Sequence, residues 1–89
     1  MNNMEKEFYI TNEQGVHARP ATLLVGRANQ YKCDVKITFE GNTVDLKSIM
    51  GVLSLGISKG SSINVQTNGE DEEEALEGIT KMINELNNQ

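Results

Sequence analysis

Few residue types in this chain can do chemistry. It holds one histidine, one cysteine and one proline. The histidine and the proline fall together in Gly15-Val16-His17-Ala18-Arg19-Pro20-Ala21, just ahead of an apolar pattern of helical spacing. Proline is favoured in the first turn of a helix, where its missing N–H is not needed and its fixed φ helps. His17 is therefore expected at or beside the N-cap of a helix opening at Ala18. The free amides of that first turn, at Ala18 and Arg19, can bind the oxygens of an anion such as phosphate. Arg19 adds charge-assisted bonds to the same anion, and Gly15 lets the backbone bend sharply before the ring. On residue types alone, a histidine in a silent surface turn stays open beside this reading.

Other chemistries lack their parts. Without a second histidine or a Cys/His cluster, no metal site is expected. A Ser-His-Asp triad cannot be argued from one histidine and scattered serines. There is no Gly-rich phosphate loop and no paired Mg²⁺ carboxylate motif, so neither a nucleotide nor any cofactor is expected. A residue able to take a phosphoryl group, with no nucleotide site, points to a carrier rather than an enzyme. Cys33 is the only cysteine. It is expected to be a small, buried or half-buried thiol, and its solitude fits a cytoplasmic protein.

The 89 residues suit one domain spanning 1–89. Eight basic and thirteen acidic residues give a net charge of −5, which argues against nucleic-acid binding through counterion release. The charge is uneven. The run Glu70 to Glu74 is wholly acidic and is expected to be a solvated helix start. Between Arg19 and Lys36, the bases Arg19, Arg27, Lys32 and Lys36 face Asp34 alone. The chain could thus turn a mildly positive face to an acidic partner. No apolar run approaches the ~20 residues of a membrane span. The first residues carry no basic-then-apolar pattern of a signal peptide.

The elements that must hold these residues are punctuated by glycine. Glu7–Thr11 reads as a strand. Ala18–Asn29 reads as a helix, with Ala21, Leu24, Val25 and Ala28 on one face. Val35–Phe39 alternates as a strand, Glu40-Gly41-Asn42 turns, and Asn42–Leu46 returns. Ser48 caps a short helix to Leu55. Ser62–Thr67 is a fourth strand. Glu72–Leu86 is the longest helix, its stripe formed by Ala75, Leu76, Ile79, Met82, Ile83 and Leu86. Strands that alternate throughout imply a mainly antiparallel sheet with one wet face. The expected architecture is α+β, an open-faced sandwich of four strands with three helices on one face.

The heptapeptide around His17 resembles the active-site motif of HPr, the histidine-containing phosphocarrier of the bacterial phosphoenolpyruvate–sugar phosphotransferase system. A second block, Val44-Asp45-Leu46-Lys47-Ser48-Ile49-Met50-Gly51-Val52-Leu53-Ser54-Leu55-Gly56, resembles that family's regulatory serine region, of the low-GC Gram-positive type. The resemblance covers nearly the whole chain. It implies that enzyme I passes a phosphoryl group to Nδ1 of His17, and that the group then moves to a sugar-specific EIIA protein or domain. Arg19 would contact the phosphate and Pro20 would shape the helix start. Ser48 would be the target of HPr kinase/phosphorylase, with the seryl-phosphorylated form acting as corepressor beside a catabolite control transcription regulator. Five apolar residues cannot all face inward on so short a helix, so Met50 and Leu53 are expected on the partner surface, with Ile49 and Arg27 beside them. Many Gram-positive relatives carry a second methionine where this chain has Leu53. A monomer with transient partners is expected. A purely regulatory adaptor acting through Ser48 is the alternative; a relative of that kind carries glutamine in place of the histidine, and His17 argues against that branch. A small enzyme on a similar scaffold, such as an acylphosphatase, is the weaker competitor.

Overall fold

A computed structural model describes residues 4–89. Its elements run β1 (Met4–Tyr9), α1 (Ala18–Ala28), β2 (Asp34–Phe39), β3 (Asn42–Asp45), α2 (Ile49–Leu55), β4 (Ser62–Asn68) and α3 (Glu72–Asn87). The strands form one sheet in the order β1-β4-β2-β3, and every neighbouring pair is antiparallel. The three helices complete the α+β open-faced sandwich expected from the alternating strands.

Alternation fixes which side chains enter the core. Ile63, Val65 and Thr67 of β4 and Val35 and Ile37 of β2 point inward and are buried. They meet Ala21, Leu24 and Ala28 of α1 and Ala75, Leu76, Ile79 and Ile83 of α3. Each large aliphatic side chain buried this way contributes about 1.5–3 kcal/mol. Met82 packs against this core from its margin. The opposite face stays wet: Thr38 and Thr43 share a hydrogen bond between hydroxyls 2.7 Å apart, and Gln66 donates to Thr38.

One boundary differs clearly from the sequence pattern. The first strand begins at Met4 and ends at Tyr9, instead of running from Glu7 to Thr11. Its register against β4, from Met4↔Thr67 to Tyr9↔Ser62, supplies partners for the early polar residues. It stops because the amides of Thr11 and Asn12 leave the ladder and take the side-chain oxygen of Asn87. The remaining ends shift slightly. Asn29 becomes the C-cap of α1, and α3 extends to Asn87.

Candidate functional site

His17 is the N-cap residue of α1, in an extended conformation with φ −127° and ψ 166°. Its imidazole makes no capping bond to the helix and is half-buried. Pro20, in the first turn, is buried. Among the described residues, neither the Ala18 nor the Arg19 amide has an acceptor, whereas the Ala21 amide reaches the His17 carbonyl at 3.4 Å. Two backbone donors are thus free at the positive end of the helix, where an anion is favoured. Arg19 is exposed beside them, and α1 carries no acid in its first turn. Ala18 has φ +49°, a left-handed conformation that costs a residue with a Cβ about 1–2 kcal/mol. The sequence pattern carries no sign of that strain.

The loop ahead of the ring is held from both sides. Gly15 has φ +62°, and a Cβ there would run into the Ile57 carbonyl oxygen and come within 2.7 Å of Ser58 Cα. The glycine therefore serves close backbone approach as well as the bend. Val16 donates to the Ile57 carbonyl at 2.9 Å, and Val16 itself is fully buried. The Asn12 carboxamide oxygen accepts from the Gln14 amide at 3.1 Å, and its carbonyl accepts from Gly15 at 3.2 Å. Lys59 pairs with exposed Glu13 at 2.7 Å, which holds the Glu13 carboxyl below the usual carboxylate range.

A second helix start lies nearby in the fold. Ser48 caps α2, its hydroxyl accepting from the Gly51 amide at 3.1 Å. The segment before it is braced by α1, where Asn29 donates to the Lys47 carbonyl, and Lys47 donates to the Tyr31 carbonyl at 2.8 Å. The far end of α2 passes through Gly56 to Ile57, the residue that holds the Val16 amide. Met50 is 75% exposed and Leu53 40%, while Ile49 packs partly against the core. Met50 and Leu53 are thus two large apolar side chains that α2 leaves in contact with solvent.

A chain with a histidine-capped helix and a serine-capped helix on this sheet has clear relatives. A family described as the PTS HPr component phosphorylation site matches residues 4–85. The chain belongs to the HPr family. A crystal structure of the phosphocarrier protein HPr from Bacillus anthracis is 42% identical, with 90% of this chain and 95% of that one covered and a TM-score of 0.86. HPr-C-His from Thermoanaerobacter tengcongensis is 35% identical, covers 97% of both chains and superposes with a TM-score of 0.93. The catabolite repression protein Crh of Bacillus subtilis, solved as a swapped dimer, is 39% identical, covers 90% and 92%, and has a TM-score of 0.73. This HPr-family chain has no helix long and apolar enough to cross a membrane among the described residues.

Other residues singled out by the HPr resemblance and by composition take more specific places. Arg27, expected on the partner surface, is half-buried; its Nη1 donates to the Gly78 carbonyl of α3 at 3.3 Å. Gly78 is buried beneath Tyr31, whose hydroxyl occupies the space a Cβ would need. Cys33 is buried, and burial first, then neighbouring Asp71, pushes its thiol up to about 11. Such a thiol stays protonated and unreactive at neutral pH. The acidic run is only partly solvated. Asp71 accepts from the amides of Lys32 and Cys33, both at 2.9 Å, and Glu72 accepts from Gly69 at 2.9 Å. Asn12 and Asn87, missed in the sequence, brace the loop. The Asn12–Gln14 spacing of an Asx turn could have signalled the first; no local pattern marks the second.

Proposed function

We propose that this chain is a phosphocarrier that receives a phosphoryl group from phosphorylated enzyme I on Nδ1 of His17 and passes it to a sugar-specific EIIA protein or domain. The observation that carries this reading is a histidine N-cap beside two unpaired amides, at Ala18 and Arg19, on a helix start free of acids. An arriving phosphoryl group would find backbone donors and the Arg19 guanidinium where its charge must be held. In each transfer a P–N bond to the donor breaks as a bond to the acceptor nitrogen forms. Such in-line displacement needs position and charge stabilisation more than acid–base groups. The chain would act with its partners and not as a stand-alone catalyst.

Ser48 is the proposed regulatory site, modified by HPr kinase/phosphorylase and read by a catabolite control transcription regulator. A phosphate on an N-cap meets free amides and the positive helix end, so α2 tolerates it. The added charge beside Met50 and Leu53 would weaken an acidic partner's docking. The similarity to Crh favours a second reading, an adaptor acting through Ser48 alone; the presence of His17 weighs against it. We assign the working form as a cytoplasmic monomer, although Crh forms a dimer.

Incubation with phosphoenolpyruvate and enzyme I, followed by mass measurement before and after acid, tests the carrier reading. One acid-labile phosphoryl group is expected, absent in His17→Ala. An unmodified wild-type protein would sink it. Incubation with ATP and HPr kinase should give an acid-stable adduct; an adduct surviving in Ser48→Ala would remove Ser48 from its role.

A further inference from the structure

The histidine loop is anchored by a residue at the opposite end of the chain. The Asn87 side chain, at the last turn of α3, accepts from the amides of Thr11 at 2.9 Å and Asn12 at 3.3 Å through Oδ1. Its Nδ2 donates to the Tyr9 carbonyl at 2.8 Å. These partners fix the orientation of the carboxamide, since the flipped form would set N–H against N–H and oxygen against oxygen. Three backbone groups at and just beyond the end of β1 are thus satisfied by one side chain.

The clamp leads directly to the site. Asn12 is buried, and it is the residue whose side chain and carbonyl take the amides of Gln14 and Gly15. Gly15 then delivers Val16 to the Ile57 carbonyl, and His17 follows. The loop is held on its other flank by Ile10, which donates to the Ser61 carbonyl and accepts from the Gly60 amide. Without the Asn87 side chain the loop would keep its bonds to Ser61, Gly60 and Ile57, but the amides of Thr11 and buried Asn12 would lose their acceptor.

We infer that Asn87 is a positioning residue for phosphoryl transfer at His17, acting through Asn12 and the Gly15 turn. This rests on the carrier reading proposed above. It makes the end of α3 part of the transfer apparatus without touching the phosphate. A misplacement of 1 Å can cost about 100-fold in rate, so a partly loosened loop should cost about five- to tenfold.

The test compares Asn87→Ala and Asn87→Asp with Thr67→Val. Thr67 donates to the Glu72 carbonyl at the start of α3, so its variant loses one hydrogen bond remote from the loop. Transfer from phosphorylated enzyme I, the amide NMR signals of Gly15 to Arg19 and the His17 ring signals are measured for each. Asn87→Ala is expected to slow transfer and shift those signals. Asn87→Asp, which keeps the acceptor but loses the donor to Tyr9, should fall between alanine and wild type. Thr67→Val should lower the melting temperature yet leave rate and signals unchanged. Wild-type rate and signals in Asn87→Ala, or equal slowing by Thr67→Val, would overturn the inference. Should the wild-type protein take no phosphoryl group at all, the carrier reading fails, while the NMR signals still decide whether Asn87 sets the His17 loop.

Discussion

The starts of α1 and α3 are the same physical object treated in opposite ways. Each presents unpaired amides and a partial positive charge. At α3 the chain fills this end with its own acids: Glu72, Glu73 and Glu74 occupy the first turn, and Glu72 reaches back to the Gly69 amide. Asp71 turns away from the helix and ties it to the amides of Lys32 and Cys33. At α1 there is no acid. Neither N-cap side chain bonds to its own helix, and among the described residues both first turns keep amides without acceptors, Ala18 and Arg19 at α1 and Glu73 and Glu74 at α3, so the two ends differ in charge. What α1 leaves open is the charge: no acid of its own stands at the positive helix end. The stability forgone at α1 is offset by burial of Pro20, Ala21, Leu24 and Ala28 behind the site. Ser48 lies between these cases: its hydroxyl closes the start of α2 by accepting from the Gly51 amide.

Making α1 resemble α3 should have the largest effect. Ala18→Asp places a carboxylate among the free amides, in a left-handed position that aspartate tolerates. Repulsion between this carboxylate and the phosphoryl group should cut transfer from enzyme I by about 100-fold or more. Its thermal stability should hold or rise. A variant that still transfers at the wild-type rate would break the contrast between the two ends. Arg19→Ala comes next: loss of a charge-assisted bond should slow transfer by about 10- to 100-fold. Because Arg19 is exposed, denaturant titration should show stability changed by less than about 0.5 kcal/mol.

At the other end the prediction reverses. Asp71→Ala should lower the melting temperature by several degrees and leave transfer at its wild-type rate. The Lys32 amide first, and then that of Cys33, holds the Asp71 carboxyl below the usual carboxylate range. A depressed carboxyl contributes stability above its unfolded-state value and loses it as pH falls through its lower folded value. Acid unfolding of the wild type should therefore steepen below about pH 4, and Asp71→Asn should flatten that limb. The smallest effect is expected at Ser48, where alanine costs about 1 kcal/mol by removing the cap on Gly51. Chemical denaturation measures it.

The comparison also separates what a one-dimensional pattern reveals from what it hides. Helix α1, its proline and the N-cap position of His17 were visible because local rules govern them: proline chemistry, helical spacing and the glycine before the bend. The cap at Ser48 followed from a serine standing at a helix start, and the exposure of Met50 and Leu53 from the shortness of that helix. The structural half of the acidic run escapes any local pattern because the partners of Asp71 lie 39 and 38 residues away. Arg27, expected on the docking surface, turns its guanidinium toward α3, where Gly78 leaves room for Tyr31 and offers a carbonyl.

The sequence by itself determined the order of elements, the alternating faces that enclose one core, and a histidine set at an acid-free helix start. These depend on periodicity and on contacts within a few residues. Only the tertiary structure decided where Asp71 and Arg27 find their partners, where the first strand stops, and what holds the histidine loop. Those outcomes depend on backbone groups finding acceptors across the whole chain, as Thr11 and Asn12 do at Asn87, 76 and 75 residues on. A buried amide must be paired wherever a partner can be found, and distance along the chain does not limit where that is.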